Sequence, residues 1–198
     1  MKKFDLLITG VGGQGIILAS DIIGEAALAA GYDVKKTDTL GMAQRGGSVV
    51  SHVRIGQRVW SPLIKEGEVD ILVAFEKLEA ARWVHYLRPG ASAIINNHAL
   101  PPPSVNLGNV PYPSNEEITH ILRQRSDRIH FVNGTSRVRE LGNVRTLNMF
   151  MLGCLSLVLP LKVNIWKDII SQHLPSGIRQ INFSAFDLGR EEGRNVHI

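Results

Sequence analysis

The stretch Ile8–Ile17, Ile-Thr-Gly-Val-Gly-Gly-Gln-Gly-Ile-Ile, decides the fold class of this chain. It places a glycine-rich turn between an apolar strand predicted at Phe4–Thr9 and a helix predicted at Ile16–Ala30. The turn, Gly10–Gly15, satisfies the G-x-G-x-x-G pattern of dinucleotide-binding βα units. Glycine lets the backbone approach a ligand closely, and the free N–H groups at the start of the helix favour an anion. The stretch therefore predicts a βα unit with a candidate phosphate-binding turn.

The sequence after this unit departs from the NAD-binding pattern. The next predicted strand, Asp33–Asp38, offers Asp38 near the position where a ribose-binding acid belongs. However, Lys35 and Lys36 interrupt the expected apolar run, and no second clean βα repeat follows. A stand-alone NAD(P)-binding Rossmann oxidoreductase remains an alternative, and it predicts that the isolated chain binds a nucleotide.

The rest of the chain alternates strand and helix patterns. They predict a β-hairpin over 47–60, strands at 69–75, 92–95 and 129–132, helices at 76–87, 116–125 and 161–174, and a mostly helical stretch at 135–159 divided at Gly142. Residues 176–188 are predicted as a loop or an extended segment. The fold class is therefore α/β: a three-layer α/β/α, Rossmann-like single domain with a mixed sheet and a helical C-terminal part. We expect the domain to span residues 1–189, followed by a polar tail at 190–198.

Composition narrows the function classes. The chain has 198 residues, a formal net charge of +4 and no run of basic residues of the kind that binds nucleic acid. It begins without a signal-peptide pattern, and no apolar stretch reaches the length of about 18 residues that a membrane span needs. We therefore expect a cytoplasmic protein that contacts neither nucleic acid nor membrane. The one cysteine, Cys154, lies in an apolar run and is expected to be a buried, inert thiol.

A second glycine-rich turn, Gly41–Ser48, reduces the number of protein families that the sequence fits. Together with Gly10–Gly15, its sequence Gly-Met-Ala-Gln-Arg-Gly-Gly-Ser resembles the gamma-type component of 2-oxoacid:ferredoxin oxidoreductases. The sequence of this second turn is most similar to that of the indolepyruvate type, since the 2-oxoglutarate type more often has Pro-Glu where this chain has Ala43-Gln44. Further similar segments are Ser61-Pro62, Val69–Glu76, Asn148-Met149 with Leu152-Gly153, and Asn182–Phe186, so the resemblance covers about residues 4–189.

This resemblance implies a subunit of a heteromeric oxidoreductase. Such complexes oxidatively decarboxylate a 2-oxoacid, join the acyl group to coenzyme A and reduce ferredoxin. In the indolepyruvate type, a large alpha subunit holds thiamine diphosphate and [4Fe-4S] clusters, and the product is an arylacetyl-CoA. The chain itself would carry no cofactor and would not catalyse the reaction alone, in agreement with its single cysteine. A gamma subunit for pyruvate or 2-oxoglutarate is the close alternative.

We assign no catalytic residue and no metal ligand to this chain. The candidate cofactor-binding residues are those of the two turns: Gly10, Gly12, Gly13, Gln14, Gly15, Gln44, Arg45, Gly46 and Gly47. We expect both turns to lie together at one edge of the sheet, facing the thiamine site of the partner or a coenzyme A channel, or else to form a pure subunit interface. His52 is more readily explained as a packed side chain than as a base. Glu76 either belongs to a site or begins the following helix.

Overall fold

A computed structural model of the chain describes residues 2–41, 46–102, 105 and 111–198. Its strands form one six-stranded sheet in the order β2-β3-β1-β4-β5-β6. The strands are β1 (Phe4–Val11), β2 (Asp33–Leu40), β3 (Ser48–Gly56), β4 (Val69–Ala74), β5 (Leu87–Asn96) and β6 (Ile129–Val132). The helices are α1 (Ile16–Ala29), α2 (Lys77–Trp83), α3 (Asn115–Arg123), α4 (Gly134–Glu140), α5 (Leu147–Leu155), α6 (Val163–His173) and α7 (Ser176–Asn195), with 3₁₀ turns at Val84–Tyr86 and Val144–Thr146.

The sheet separates two hydrophobic cores, which makes the architecture three-layered. Along β1, Leu6 and Ile8 point to a core shared with α1, α5, α6 and α7. Leu7 points to the opposite face, where it joins a core closed by α2 and α3. This period-two alternation is the expected consequence of a strand covered on both sides. The predicted α/β class, with a mixed sheet and a helical C-terminal part, is confirmed.

The antiparallel strand pairs of the sheet differ from the pair predicted from the sequence. The predicted hairpin over 47–60 is wrong, because β3 pairs on one side with β2 and on the other with β1, and residues 57–60 form no strand. The segment after Gly56 instead turns across the face of the sheet. There the Arg54 guanidinium donates to the carbonyl oxygens of Ser61 and Leu63, at 3.3 Å and 3.0 Å.

The prediction of a loop or extended segment at 176–188 is also wrong, since α7 runs from Ser176 to Asn195. Its buried face consists of Asn182, Ala185, Phe186, Gly189 and Gly193. The spacing is helical, but glycine, alanine and asparagine hide it from a pattern based on large apolar residues. The helix continues across the domain boundary expected at residue 189, and the division into a domain at 1–189 and a tail at 190–198 stays a prediction.

Other elements agree with the sequence pattern to within a few residues. The stretch over 135–159 divides at Gly142, whose φ of 94° breaks the helical path. The helix expected at 76–87 is shorter and ends in the 3₁₀ turn at Val84–Tyr86. Within the described residues, none of the helices combines the length and the apolarity needed to cross a bilayer.

Candidate functional site

The first glycine turn lies at the carboxyl end of β1, in the middle of the sheet. Gly13 and Gly15 have φ values of 102° and 80°, a left-handed conformation that side chains with a Cβ rarely adopt. Gly10 is required for a different reason: a Cβ there would stand 2.9 Å from the Cβ of Phe75. The glycines therefore let the chain turn sharply against β4 and enter α1.

The Gln14 side chain fastens the turn to the sheet. Its Oε1 accepts a hydrogen bond from the Val11 amide at 2.8 Å, and its Nε2 donates to the Phe75 carbonyl oxygen at 3.2 Å. Both ends of the side-chain amide are thus engaged by the protein's own backbone.

The start of α1 presents backbone donors to the solvent side of the turn. The N–H groups of Gly13, Gly15, Ile16 and Ile17 have no hydrogen-bond acceptor among the residues the structure describes. No acidic side chain occupies the first turn of this 14-residue helix to neutralise them. Together with the helix dipole, such donors favour an anion.

The two glycine turns meet, as the sequence predicted. The Gly12 amide donates to the Gly47 carbonyl oxygen at 2.9 Å, and a Cβ on Gly12 would stand 3.6 Å from the Gly46 nitrogen. Gly46 and Gly47 therefore lie beside the first turn. The remaining candidates of the second turn, Gln44 and Arg45, fall outside the described residues.

A cavity of about 360 Å³ opens beside the first turn. It is lined by Gly13, Gln14, Gly15, His98, Leu100, Thr135, Val144, Arg145 and Leu147. Arg145 is exposed and brings a positive charge to its rim. Burial, and then the positive charge of Arg139, lower the pKa of His98, so the imidazole is neutral at pH 7. The cavity therefore combines backbone donors with one permanent cation and suits a phosphate or carboxylate group.

Sequence reasoning missed His98, Thr135 and Arg145. They follow β5, β6 and Gly142, and no local motif links them to the glycine turn. The signal that could have found them is topological, because loops at the carboxyl ends of parallel strands converge on one edge.

Asn96 joins these loops at the carboxyl edge of the sheet. Its Nδ2 donates to the Phe75 carbonyl oxygen at 3.0 Å and to Thr135 Oγ1 at 2.8 Å, and its Oδ1 accepts from the Thr135 amide at 3.1 Å. Since Gln14 binds the same carbonyl oxygen, the chain of contacts runs from the glycine turn through Phe75 and Asn96 to the start of α4. The walls of the cavity are thereby held at fixed positions.

Glu76 caps the start of α2. Of the two roles considered for it, the structure therefore supports the one at the start of the helix. Its side chain is 1% exposed, and its Oε2 accepts the Glu79 amide at 2.9 Å. The other carboxylate oxygen accepts the Leu100 amide at 3.1 Å and the Tyr112 hydroxyl. Burial and the neighbouring Glu76 raise the pKa of Tyr112, so its hydroxyl keeps its proton and acts as a donor. Glu76 is fully engaged in holding the segments around the cavity.

His52 is a packed residue, as expected. It is 4% exposed, lies edge-on to the Tyr86 ring at 5.6 Å between centroids, and its Nδ1 accepts the Ile64 amide at 3.4 Å. Burial, and then the positive charge of Arg54, lower its pKa.

Asp38 is separated from the glycine turn by β3, because β2 forms the edge of the sheet. Its carboxylate is taken up by Ser51 Oγ at 2.6 Å and Lys36 Nζ at 3.0 Å. In a dinucleotide-binding unit, the acid lies on the strand adjacent to the turn. The position therefore does not fit a ribose ligand over this turn.

Cys154 is buried, and its thiol donates to the Gly189 carbonyl oxygen at 3.2 Å. Burial raises the pKa of this thiol, which keeps it protonated and unreactive. Within the described residues, no cluster of three or more His, Cys, Asp or Glu side chains could hold a metal ion.

Comparison with known proteins agrees with this geometry. Residues 5–192 match the family described as pyruvate ferredoxin/flavodoxin oxidoreductase. Over 99% of this chain and 98% of the relative, the sequence is 38% identical to indolepyruvate oxidoreductase subunit IorB from Pyrococcus horikoshii. It is 28% identical to 2-oxoglutarate synthase subunit KorC from Methanothermobacter marburgensis, over 96% of each chain.

The fold also matches a solved structure. It superposes on 2-oxoglutarate:ferredoxin oxidoreductase from Magnetococcus marinus with a TM-score of 0.77 at 21% sequence identity, over 98% of this chain and 32% of the other. The chain thus spans about a third of the length of that polypeptide, and at this identity the match shows the fold alone. The family match over residues 5–192 and the 38% identity carry the conclusion that the chain belongs to the pyruvate ferredoxin/flavodoxin oxidoreductase family.

Proposed function

We propose that this chain is the small subunit of a heteromeric complex that oxidatively decarboxylates indolepyruvate and other arylpyruvates. The reaction converts the 2-oxoacid, coenzyme A and two oxidised ferredoxins into arylacetyl-CoA, carbon dioxide, two reduced ferredoxins and one proton. The observation that carries the proposal is the 38% identity to a relative named as an indolepyruvate oxidoreductase subunit, against 28% for one named as a 2-oxoglutarate synthase subunit.

The cofactors belong, in this proposal, to a large alpha subunit. A [4Fe-4S] cluster needs about four cysteine ligands, and this chain has one cysteine, buried and protonated. The carbanion chemistry requires thiamine diphosphate, for which we assign no site in this chain. Catalysis by the small subunit alone is therefore not expected, and ferredoxin meets the complex through the large subunit.

The contribution of this chain is to bind and orient an anionic group at the glycine turns. We assign the diphosphate of coenzyme A to the donors of Gly13, Gly15 and Ile16, with Arg145 as the cation on the cavity rim. Gly10, Gly12, Gly46 and Gly47 shape the backbone there, and Gln44 and Arg45 remain candidates from the second turn. The competing role for the same surface is contact with the large subunit.

The complex itself provides the first test. The tagged chain is co-produced with its large partner and purified without oxygen, and indolepyruvate- and coenzyme A-dependent dye reduction is measured. Activity should exceed that with pyruvate or 2-oxoglutarate. Preference for 2-oxoglutarate or pyruvate would assign the chain to the alternative gamma type, and NADH binding by the isolated chain would support the stand-alone alternative.

Arginine variants separate the ligand role from the interface role. Arg145→Ala and Arg45→Ala should each raise the KM for coenzyme A by about 10-fold or more, the loss of one charge-assisted hydrogen bond, with the KM for indolepyruvate unchanged. Arg125→Ala, which removes an exposed cation away from the cavity, is the matched control. An unchanged KM for coenzyme A in the assembled complex refutes the ligand role, and a lower yield of assembled complex with that KM unchanged assigns the surface to an interface.

A further inference from the structure

A second, smaller cavity lies on the α2–α3 side of the sheet. Its volume is about 230 Å³, and its walls are Lys77, Asn97, Asn115, Ile118, Thr119 and Phe131. None of these residues lines the cavity at the glycine turn. The two cavities are therefore distinct, and the anion site assigned to the glycine turn does not account for this one.

The most informative wall residue is Lys77. It is only 9% exposed, and its ammonium donates to the Oδ1 of Asn115 at 2.6 Å. An ammonium has three N–H groups and one full charge, and the Asn115 amide satisfies one N–H group while neutralising none of the charge. Among the described residues, no carboxylate oxygen lies within 4.0 Å of the Lys77 ammonium.

The other buried charges of the described chain are better compensated. Asp5 pairs with Lys3 and Arg54, at 2.7 Å and 3.0 Å. Glu79 pairs with Arg82 at 2.8 Å. Glu76 has no ion pair, but its two carboxylate oxygens accept three hydrogen bonds.

A buried charge without a counter-ion is costly, and removal of its partner is among the most destabilising changes in a folded protein. The contrast with the other buried charges singles out the Lys77 ammonium as the charge on this cavity wall that an anion from outside the chain can pair with.

The remaining walls indicate which anion fits. The Asn97 amide and the Thr119 hydroxyl can add hydrogen bonds to an acceptor, whereas the Ile118 side chain, 1% exposed, and the Phe131 ring offer apolar contact. We propose that this cavity binds a small monocarboxylate with an apolar or aromatic body, its carboxylate paired with the Lys77 ammonium and its body against Ile118 and Phe131. The site stands independently of the function proposed above, because it shares no residue with the glycine-turn cavity.

Binding of phenylacetate to the full chain tests the proposal. Isothermal titration should show phenylacetate binding at least 10-fold more tightly than its neutral analogue phenylacetamide. Lys77→Met, which keeps the length of the side chain and removes the charge, should weaken phenylacetate binding at least 10-fold. Lys65→Met, on an exposed loop, removes the same charge away from the cavity and should bind like the wild type.

Asn115→Asp gives a second arm that does not depend on the fold of the Lys77 variant. The new carboxylate supplies the missing counter-ion within the chain, so the variant should have a higher Tm than the wild type and lose phenylacetate binding. Phenylacetate should raise the Tm of the wild type and of Lys65→Met. It should not raise the Tm of Lys77→Met or Asn115→Asp.

Equal affinity for phenylacetate and phenylacetamide, or unchanged phenylacetate binding by Asn115→Asp, would overturn the proposal. So would the absence of binding by acetate, benzoate and phenylacetate at millimolar concentrations.

Discussion

At the residue scale, Glu76 joins three segments that are distant in the sequence. Its buried carboxylate caps α2 and accepts donors from Leu100 and Tyr112. Replacing the carboxylate by an amide removes acceptor capacity, while the Glu79 amide stays buried and the Tyr112 hydroxyl half-buried. Glu76→Gln should therefore lower the free energy of unfolding by about 1–3 kcal/mol.

A double-mutant cycle with Tyr112→Phe checks this prediction in urea titrations. The single variants should be non-additive, because the Tyr112 hydroxyl donates directly to Glu76. Strict additivity of the two free-energy changes would show that this hydrogen bond contributes nothing to stability.

His52 should make the protein less stable in mild acid. Burial lowers its pKa in the folded state, so below its ordinary pKa of about 6.5 the unfolded chain binds more protons than the folded one. Stability due to this group is fully present above about pH 6.5 and is lost as the pH falls through the folded-state pKa. His98, whose pKa is also lowered, acts in the same direction.

Urea midpoints at pH 5 and pH 7 measure this effect. His52→Gln, which keeps an acceptor for the Ile64 amide, should reduce the difference between the two midpoints. His120→Gln, on an exposed position of α3, is the control and should leave that difference unchanged. An NMR titration in which the His52 ring protonates at or above pH 6.5 would contradict the assignment.

At the element scale, α5 and α7 touch backbone to backbone. A Cβ on Gly153 would stand 2.0 Å from the Phe186 carbonyl oxygen, and one on Gly189 would stand 2.0 Å from that of Phe150. Because the obstacles are main-chain atoms, no side-chain rotation can relieve the clash. Gly153→Ala should lower the free energy of unfolding by about 3 kcal/mol or more.

Gly177→Ala is the matched control, in the first turn of α7. Nothing lies within 4 Å of the position where its Cβ would stand. It should be neutral or stabilise by up to about 1 kcal/mol, because alanine favours a helix more than glycine does. Thermal melts of the two variants decide the matter, and equal Tm values would refute the close crossing of α5 and α7.

The same elements show how far the sequence could predict the structure. The βα unit at 4–30 was predictable because its strand, turn and helix signals are contiguous. The helical nature of α7 was not, because close packing against α5 selects small residues that carry no hydrophobic signal. The pairing of β3 was missed since strand partners are set by long-range register, which local alternation leaves open.

The residues of the candidate site were likewise predictable from the sequence only where a local motif marks them. Gly10–Gly15 and the closeness of Gly12 to Gly47 followed from motifs, whereas His98 and Arg145 enter the cavity only through the topology of the sheet. Lys77 could not be singled out from the sequence, because a lysine is informative only when its burial and its lack of a counter-ion are known.

At the scale of the whole molecule, the residues beyond 189 are expected to contribute to stability. Glu192 accepts the Asn133 amide at 3.2 Å, and the Val196 carbonyl oxygen lies 3.3 Å from His130 Nδ1. A chain ending at Gly189 should therefore be less stable by about 1–3 kcal/mol, because both contacts are lost and one of them involves the half-buried His130. A chain ending at Asn195 keeps Glu192 and should stay close to the full-length protein.

Urea titrations of the two shortened chains also test the predicted domain boundary. If the chain that ends at Gly189 unfolds at the same urea concentration as the full chain, residues 190–198 are a dispensable tail and the boundary at 189 holds. A lower midpoint assigns those residues to the folded unit.

The open edge of the sheet has a consequence for how copies of the chain meet. In β2, the backbone groups on the side away from β3 have no neighbouring strand in the described sheet, which offers a template for edge-to-edge accretion of further strands. Lys35 is exposed on this strand, and Lys36 is held in ion pairs with Asp21 and Asp38. The lysines that set this segment apart from a buried Rossmann strand thus act as gatekeepers, because stacking another strand on this edge would strip water from Lys35 and disturb the ion pairs of Lys36.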